Sequence, residues 1–203
     1  GCATGKDGVY WFDSCGNREN IYDANKERSW NSGMVLPLSQ SCNPNVGNIN
    51  SQNCGNCDYF VGSICSKVDT TSGKPTFGDY ICKDLNCHNA PDNVGVKDRK
   101  NGEAWCVYDS FIGDGKDVVG SRHWKYYCID GEVKTEPCGD FRTGICVQSE
   151  NENGLASAAC RPNRAMECIS YNSKEENTDT EKLKEECGEN SDCQVRNFDF
   201  GEG

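Results

Sequence analysis

Sixteen cysteines, an even number, limit how this chain of 203 residues can fold more than any other feature does. They amount to about 8% of the residues, close to the density at which a disulfide scaffold becomes the expected architecture of a secreted chain. Eight bridges are predicted, drawn from Cys2, Cys15, Cys42, Cys54, Cys57, Cys65, Cys82, Cys87, Cys106, Cys128, Cys138, Cys146, Cys160, Cys168, Cys187 and Cys193. The competing use of cysteine is metal ligation in a reducing compartment, where zinc and iron–sulfur sites favour paired C-x-x-C knuckles. Only Cys54-Gly55-Asn56-Cys57 has that spacing. The other cysteines lie mostly 6 to 27 positions apart, which suits bridges between strands and loops of an extracellular protein.

Composition points the same way. Hydrophobic residues reach 35% and the mean hydropathy is -0.77, too little apolar material to fill one large core. The net charge of -11, from 32 acidic and 21 basic residues, disfavours nucleic acid as a partner and favours solubility. No run approaches the ~18 apolar residues of a membrane span. No signal peptide opens the chain, and a start at Gly1-Cys2 reads as a mature product of export. The many asparagines include no Asn-x-Ser/Thr sequon.

Polar stretches at 89–102 and 149–157 divide the chain into blocks 1–96, 97–148 and 149–203, holding eight, four and four cysteines. Even counts let each block close its own bridges, with pairs across blocks as the alternative. In the first block, Val9 to Phe12 reads as a strand entering a turn, with Asn20 to Asp23 as its hairpin partner. Residues 43–56, rich in Asn, Gly, Ser and Gln, form a long loop pinned by cysteines. Tyr59 to Cys65 fits a core-facing strand or a short helix. The middle block holds strand-like runs at 104–108, 124–129, 131–134 and 144–147, and Asp130-Gly131 predicts a two-residue hairpin. In the last block, Thr178-Asp179-Thr180-Glu181 is a capping box opening a short helix that Gly188 is placed to end. Its only apolar side chains are Leu183 and Cys187, so a bridge from Cys187 is expected to anchor it. The fold class is therefore mainly β, small and disulfide-rich, with loop-heavy antiparallel strands and one short C-terminal helix.

Candidate chemistry is sparse. The Cys54/Cys57 spacing matches the dithiol of thioredoxin-like oxidoreductases, but no βαβ pattern surrounds it, and a pair of structural bridges is the simpler use. Cys82-x4-Cys87-His88 has the outline of an unusual haem attachment, and Cys54, Cys57, Cys82, Cys87 and His88 together offer a zinc set. Asp109, Asp114 and Asp117 share a Gly-rich loop that calcium could use, yet Lys116 sits among them and a solvated loop fits better. Ser121-Arg122-His123-Trp124 brings a hydroxyl, a guanidinium and an imidazole, although adjacent strand residues face opposite sides. Trp11, Trp30, Trp105 and Trp124 could stack on sugars, but small disulfide folds use tryptophan as scarce core. No catalytic residue, cofactor or metal ligand is assigned, and the chain is not expected to be an enzyme.

Five strings carry a resemblance: Tyr10 to Asn17, Cys54 to Tyr59, Gly78 to Cys87, Trp105 to Asp109 and Val119 to Trp124. Together they resemble large cysteine-rich secreted and surface proteins of small uncultured archaea. The resemblance implies a surface location and no catalytic residue. In those proteins the pattern resembling Cys187 to Cys193 runs on, whereas this chain stops at Gly203, which suggests a fragment or a processed product. The function expected is a building unit of an extracellular filament or surface coat, self-assembling or joined to other surface proteins. Its contacts are expected around Trp105, Tyr126, Tyr127 and Val133 or along Tyr10 to Phe12. The alternatives are a monomeric module binding carbohydrate or a cell-surface ligand, and a thiol-redox or metal-binding protein.

Overall fold

The computed structural model describes residues 1–30, 34–70, 72–112, 116–117, 121–140, 143–172, 180–190, 193 and 195. Thirteen short strands follow one another: β1 (Tyr10–Phe12), β2 (Arg18–Ile21), β3 (Ser63–Lys67), β4 (Tyr80–Asp84), β5 (Cys87–Pro91), β6 (Val96–Arg99), β7 (Ala104–Tyr108), β8 (Phe111–Ile112), β9 (Lys116–Asp117), β10 (His123–Ile129), β11 (Glu132–Pro137), β12 (Gly144–Glu150) and β13 (Ala156–Pro162). Helix α1 (Lys26–Ser29) is a single turn, α2 (Ala165–Ser170) is little longer, and α3 (Thr180–Glu189) is the one helix of ten residues. The fold is mainly β, small and disulfide-rich, as the sequence leads one to expect.

The strands form five two-stranded antiparallel ribbons and one three-stranded sheet in the order β11-β10-β7. The β10–β11 hairpin follows from its turn residues. Asp130 and Gly131 take φ of 54° and 82°, the left-handed pair a tight two-residue turn requires, and Ile129 then faces Glu132. The first hairpin also forms, with Tyr10 facing Ile21 and Phe12 facing Arg18. Tyr59 to Cys65 uses both readings in succession: a 3-10 turn at Tyr59–Val61, then β3.

Isolated two-stranded ribbons are marginal in water. Seven disulfides fasten them here: Cys2–Cys65, Cys42–Cys54, Cys57–Cys82, Cys87–Cys128, Cys106–Cys146, Cys138–Cys160 and Cys168–Cys193. None joins two strands that pair with each other. Cys65 faces Cys82 across β3–β4, and Cys146 faces Cys160 across β12–β13, yet each bonds to a cysteine elsewhere. Hydrogen bonds thus hold each ribbon together, and bridges hold the ribbons to one another. The core is correspondingly divided into four small clusters, in each of which cysteine supplies at least half of the buried residues.

Several expectations need correction. Fourteen cysteines are bridged, not sixteen: Cys15 is an exposed thiol at the β1–β2 turn, and Cys187 is a buried one. Cys187 therefore anchors α3 by packing and not by a bridge. Gly188 lies inside α3, which runs on to Glu189, and Thr178 and Asp179 of the capping box lie outside the described residues. Blocks do not close their own bridges, because Cys87–Cys128 and Cys138–Cys160 cross the boundaries at 96/97 and 148/149. Trp105 is fully buried against Cys87, Ala90 and Cys128, so it cannot serve a contact surface.

Candidate functional site

Polar chemistry in this molecule concentrates at His123, the first residue of β10. Its ring is 3% exposed; Nδ1 accepts the backbone N–H of Cys146 at 3.0 Å, and Nε2 stands 3.0 Å from Asp117 Oδ2. Accepting at Nδ1 fixes the neutral tautomer with its proton on Nε2, toward the carboxylate. The Ser121 hydroxyl donates to Asp117 Oδ1 at 2.6 Å, and Tyr108 packs its ring 4.6 Å from the imidazole. A nucleophilic triad needs the imidazole between hydroxyl and carboxylate. Here the carboxylate stands between the hydroxyl and the ring, and the cluster latches β9 and β10 to β12. Ser121 and His123, two apart, share a side, and Asp117 lies four residues before Ser121, a spacing from which the cluster could be read.

The metal and redox candidates are taken apart by the bridges. Cys54 bonds to Cys42 and Cys57 to Cys82, so the C-x-x-C pair is neither a dithiol nor a disulfide of its own. Cys87 is tied to Cys128. His88 is bracketed by two carboxylates, with Nε2 2.8 Å from Asp84 and Nδ1 3.3 Å from Asp98. Hydrogen bonding to Asp84 first, and then to Asp98, raises its pKa above the ordinary imidazole value. Asp98 is held below the usual carboxylate range by the N–H of Asn89 and by His88. Of the acidic loop, Asp109 accepts the Trp124 indole N–H at 2.7 Å and Asp117 belongs to the His123 cluster, while Asp114 lies outside the described residues. Among the described residues no three His, Cys, Asp or Glu side chains gather as a metal set.

An aromatic face forms where β1 meets α1. Trp11 lies 5.2 Å from Tyr22, 5.7 Å edge-on from Trp30 and 6.0 Å from Phe77. Its indole N–H donates to Ser29 Oγ at 2.9 Å, and the Tyr22 hydroxyl donates to the Gln52 carbonyl while accepting the N–H of Phe77. Trp30 remains half exposed. The Lys26 ammonium stands 4.1 Å from the Phe77 ring centre and 5.5 Å from that of Trp11, so the chain's own cation occupies ring faces that a ligand would otherwise use.

A second apolar feature is not legible in the sequence, where Tyr59 to Cys65 fits a core-facing strand or a short helix and 43–56 a loop. Phe60, at the crest of the 3-10 turn, is 95% exposed, its neighbour Val61 is 43% exposed, and Val46 is 58% exposed. Next to it opens a cleft of about 480 Å³ whose walls include Tyr10, Ile21, Leu38, Pro44, Asn56 and Asp58.

Comparison of the chain with protein-family models, with curated proteins and with solved structures finds no match. Seven disulfides mark a protein of an oxidising, extracellular environment. No helix among the described residues is long and apolar enough to cross a membrane.

Proposed function

We propose that this chain is a non-enzymatic structural unit of a cell-surface assembly, such as a filament or coat, joined to copies of itself or to other surface proteins. The observation that carries the reading is the state of the strands. Of the thirteen strands among the described residues, only β10 has a strand on both sides. Loops and side chains cover part of the other edges, as where the Asp7 carbonyl accepts the N–H of Cys65, the Cys82 carbonyl that of Asn50, and Asn93 and Gln148 bond the outer edge of β7. What remains uncovered is open to a neighbouring chain. Unpaired edges invite pairing with another chain, and proteins meant to stay single usually blunt or cover them. Durability that comes from bridges and not from core size suits a unit exposed outside the cell.

Assembly size tests the proposal. Light scattering and electron microscopy of the purified protein should show particles larger than one chain, growing with moderate salt as the repulsion between copies of charge -11 is screened. A species that stays single at millimolar concentration in moderate salt would overturn it. The aromatic face of Trp11, Trp30 and Phe77 favours a second reading, a monomeric binding module. In that case glycan titration should quench the half-exposed Trp30 while the protein remains one chain in size.

A further inference from the structure

The Phe60 turn and the cleft beside it share Asp58. The turn is rigid. Asp58 caps it by accepting the N–H of Phe60 at 2.9 Å, and Gly62 closes it in the left-handed region at φ 96° with its N–H on the Tyr59 carbonyl. Tyr59 is tied at both ends, its N–H donating to Asp7 at 3.1 Å and its hydroxyl to Asp130 at 3.3 Å. Behind the turn, Gly47 lies so close that a Cβ there would meet Val61 at 3.2 Å. All this framework presents one benzyl group, 95% exposed, whose ring meets that of Tyr59 edge-on with centres 6.2 Å apart. Full burial of such a side chain is worth about 1.5–3 kcal/mol, a gain the single chain leaves untaken.

The cleft can take it. A ring fits in roughly 150 Å³, so about 480 Å³ holds a ring and its flanking residues, with Tyr10, Ile21, Leu38 and Pro44 as apolar wall for the ring and Lys6, Asp7, Asn45 and Asp58 as polar wall for what flanks it. Phe60 does not fill its own cleft, since it is 95% exposed. We infer that Phe60 of one copy seats in the Tyr10/Ile21/Leu38/Pro44 cleft of a second copy, with the second copy's Phe60 returning the contact. Area decides for the reciprocal form. Phe60 alone removes on the order of 200 Å², and with Leu38, Val46 and Val61 a copy offers on the order of 500 Å². A single insertion falls short of what a specific interface needs, whereas the doubled contact reaches about 1,000 Å² in total. Because knob and cleft adjoin, one two-fold axis satisfies both at once. Such a contact closes as a dimer. It therefore supplies the first joint of an assembly and leaves the open strand edges for growth.

This inference rests on the assembly reading, and sedimentation velocity of the full chain separates the two. Phe60→Ser removes a ring that is 95% exposed and meets the fold edge-on at Tyr59, so its far-ultraviolet circular dichroism and melting temperature should match the parent while its dimer dissociation constant rises at least tenfold. Leu38→Glu, on the half-open cleft wall, should weaken the dimer comparably. If the parent associates and Phe60→Ser associates equally well, the knob is wrong and the assembly reading stands. If Phe60→Ser separates the copies while Leu38→Glu does not, Phe60 seats elsewhere and the cleft assignment fails. A parent that remains single at every concentration overturns both.

Discussion

The three-stranded sheet and the asparagine-rich loop of residues 43–56 solve one problem in opposite ways. In the sheet, β7, β10 and β11 share unbroken ladders, and Trp105 fills the space behind them with Arg99 stacked 4.7 Å over its ring. Hydrogen bonds and one large side chain do most of the ordering there. The loop has no ladder. Asn43, Asn45, Asn48 and Asn50 all take positive φ, the region asparagine tolerates best after glycine, and Cys42–Cys54 closes the segment. The Asn48 amide donates to the carbonyls of Asn43 and Asn56, both at 2.9 Å, replacing the backbone partners that a strand would have had. A chain short of apolar residues can thus order itself through backbone pairing where the sequence alternates, and through covalent closure where it does not.

Reduction should break that comparison most strongly. Each bridge is worth roughly 2–4 kcal/mol, not additively, against a typical total stability of about 5–15 kcal/mol. Full reduction should therefore unfold the whole molecule, with limited proteolysis cutting first within 43–56 and last within β10–β11. Chelation without reductant should leave the circular dichroism unchanged. Alkylation of the unreduced protein should label Cys15 alone when folded, and Cys15 plus Cys187 in denaturant. Six or more labels would replace the disulfide scaffold with thiol or metal chemistry.

The same contrast governs how much the sequence reveals. The β10–β11 hairpin was legible because Asp130-Gly131 specifies its turn and the flanking residues fit a pleated surface. The cystine skeleton was legible in kind, from cysteine number, but not in pairing. Nothing local indicates that Cys65 and Cys82, placed face to face, each bond elsewhere, or that Cys15 and Cys187 stay reduced. Short strands such as β5, β6 and β8 carry too few alternating residues for a period to register, and tertiary contacts select them. The His123 cluster was half visible. Ser121 and His123 stand out in the sequence, while their partner carboxylate, Asp117, belongs to a Gly-rich acidic stretch that fits a solvated loop. Phe60 sits in an apolar run, which signals burial, and the sequence carries no sign that its capped turn lifts the ring into solvent.

Tryptophan substitutions sharpen the comparison at the next scale down. Trp105→Ala should cost about 3–5 kcal/mol, because the ring is fully buried and its removal leaves a cavity against the Cys87–Cys128 bridge and an uncovered Arg99. Trp30→Ala, half exposed on the aromatic face, should cost less than about 1 kcal/mol. Urea titration of both variants measures the difference. Equal losses would mean that the aromatic face is as structural as the sheet core.

The smallest effect lies at the seam between the two regions, where β4, β5 and β6 meet through Asp84, His88 and Asp98. Both nitrogens of His88 face carboxylate oxygens, an arrangement complete only when the ring is protonated and donates twice. The folded pKa is raised above its unfolded value of about 6.5, so the contribution is whole below that pH and fades as pH rises through the higher folded value. Asp98 acts in the opposite sense: its pKa is lowered, so its share persists above the unfolded carboxylate range and fades only as acid reaches the depressed value. The bracket therefore works best in the interval between the two groups. His88→Gln should lower stability by less than about 1 kcal/mol near pH 5, since the side chain is 56% exposed and screened by solvent, and should cost almost nothing near pH 9. Amide exchange at Asn89, whose N–H donates to Asp98 at 2.9 Å, should quicken in the variant at the lower pH only. A difference of the same size at both pH values would show that His88 joins the regions by packing, and that its charge has no part in holding the seam.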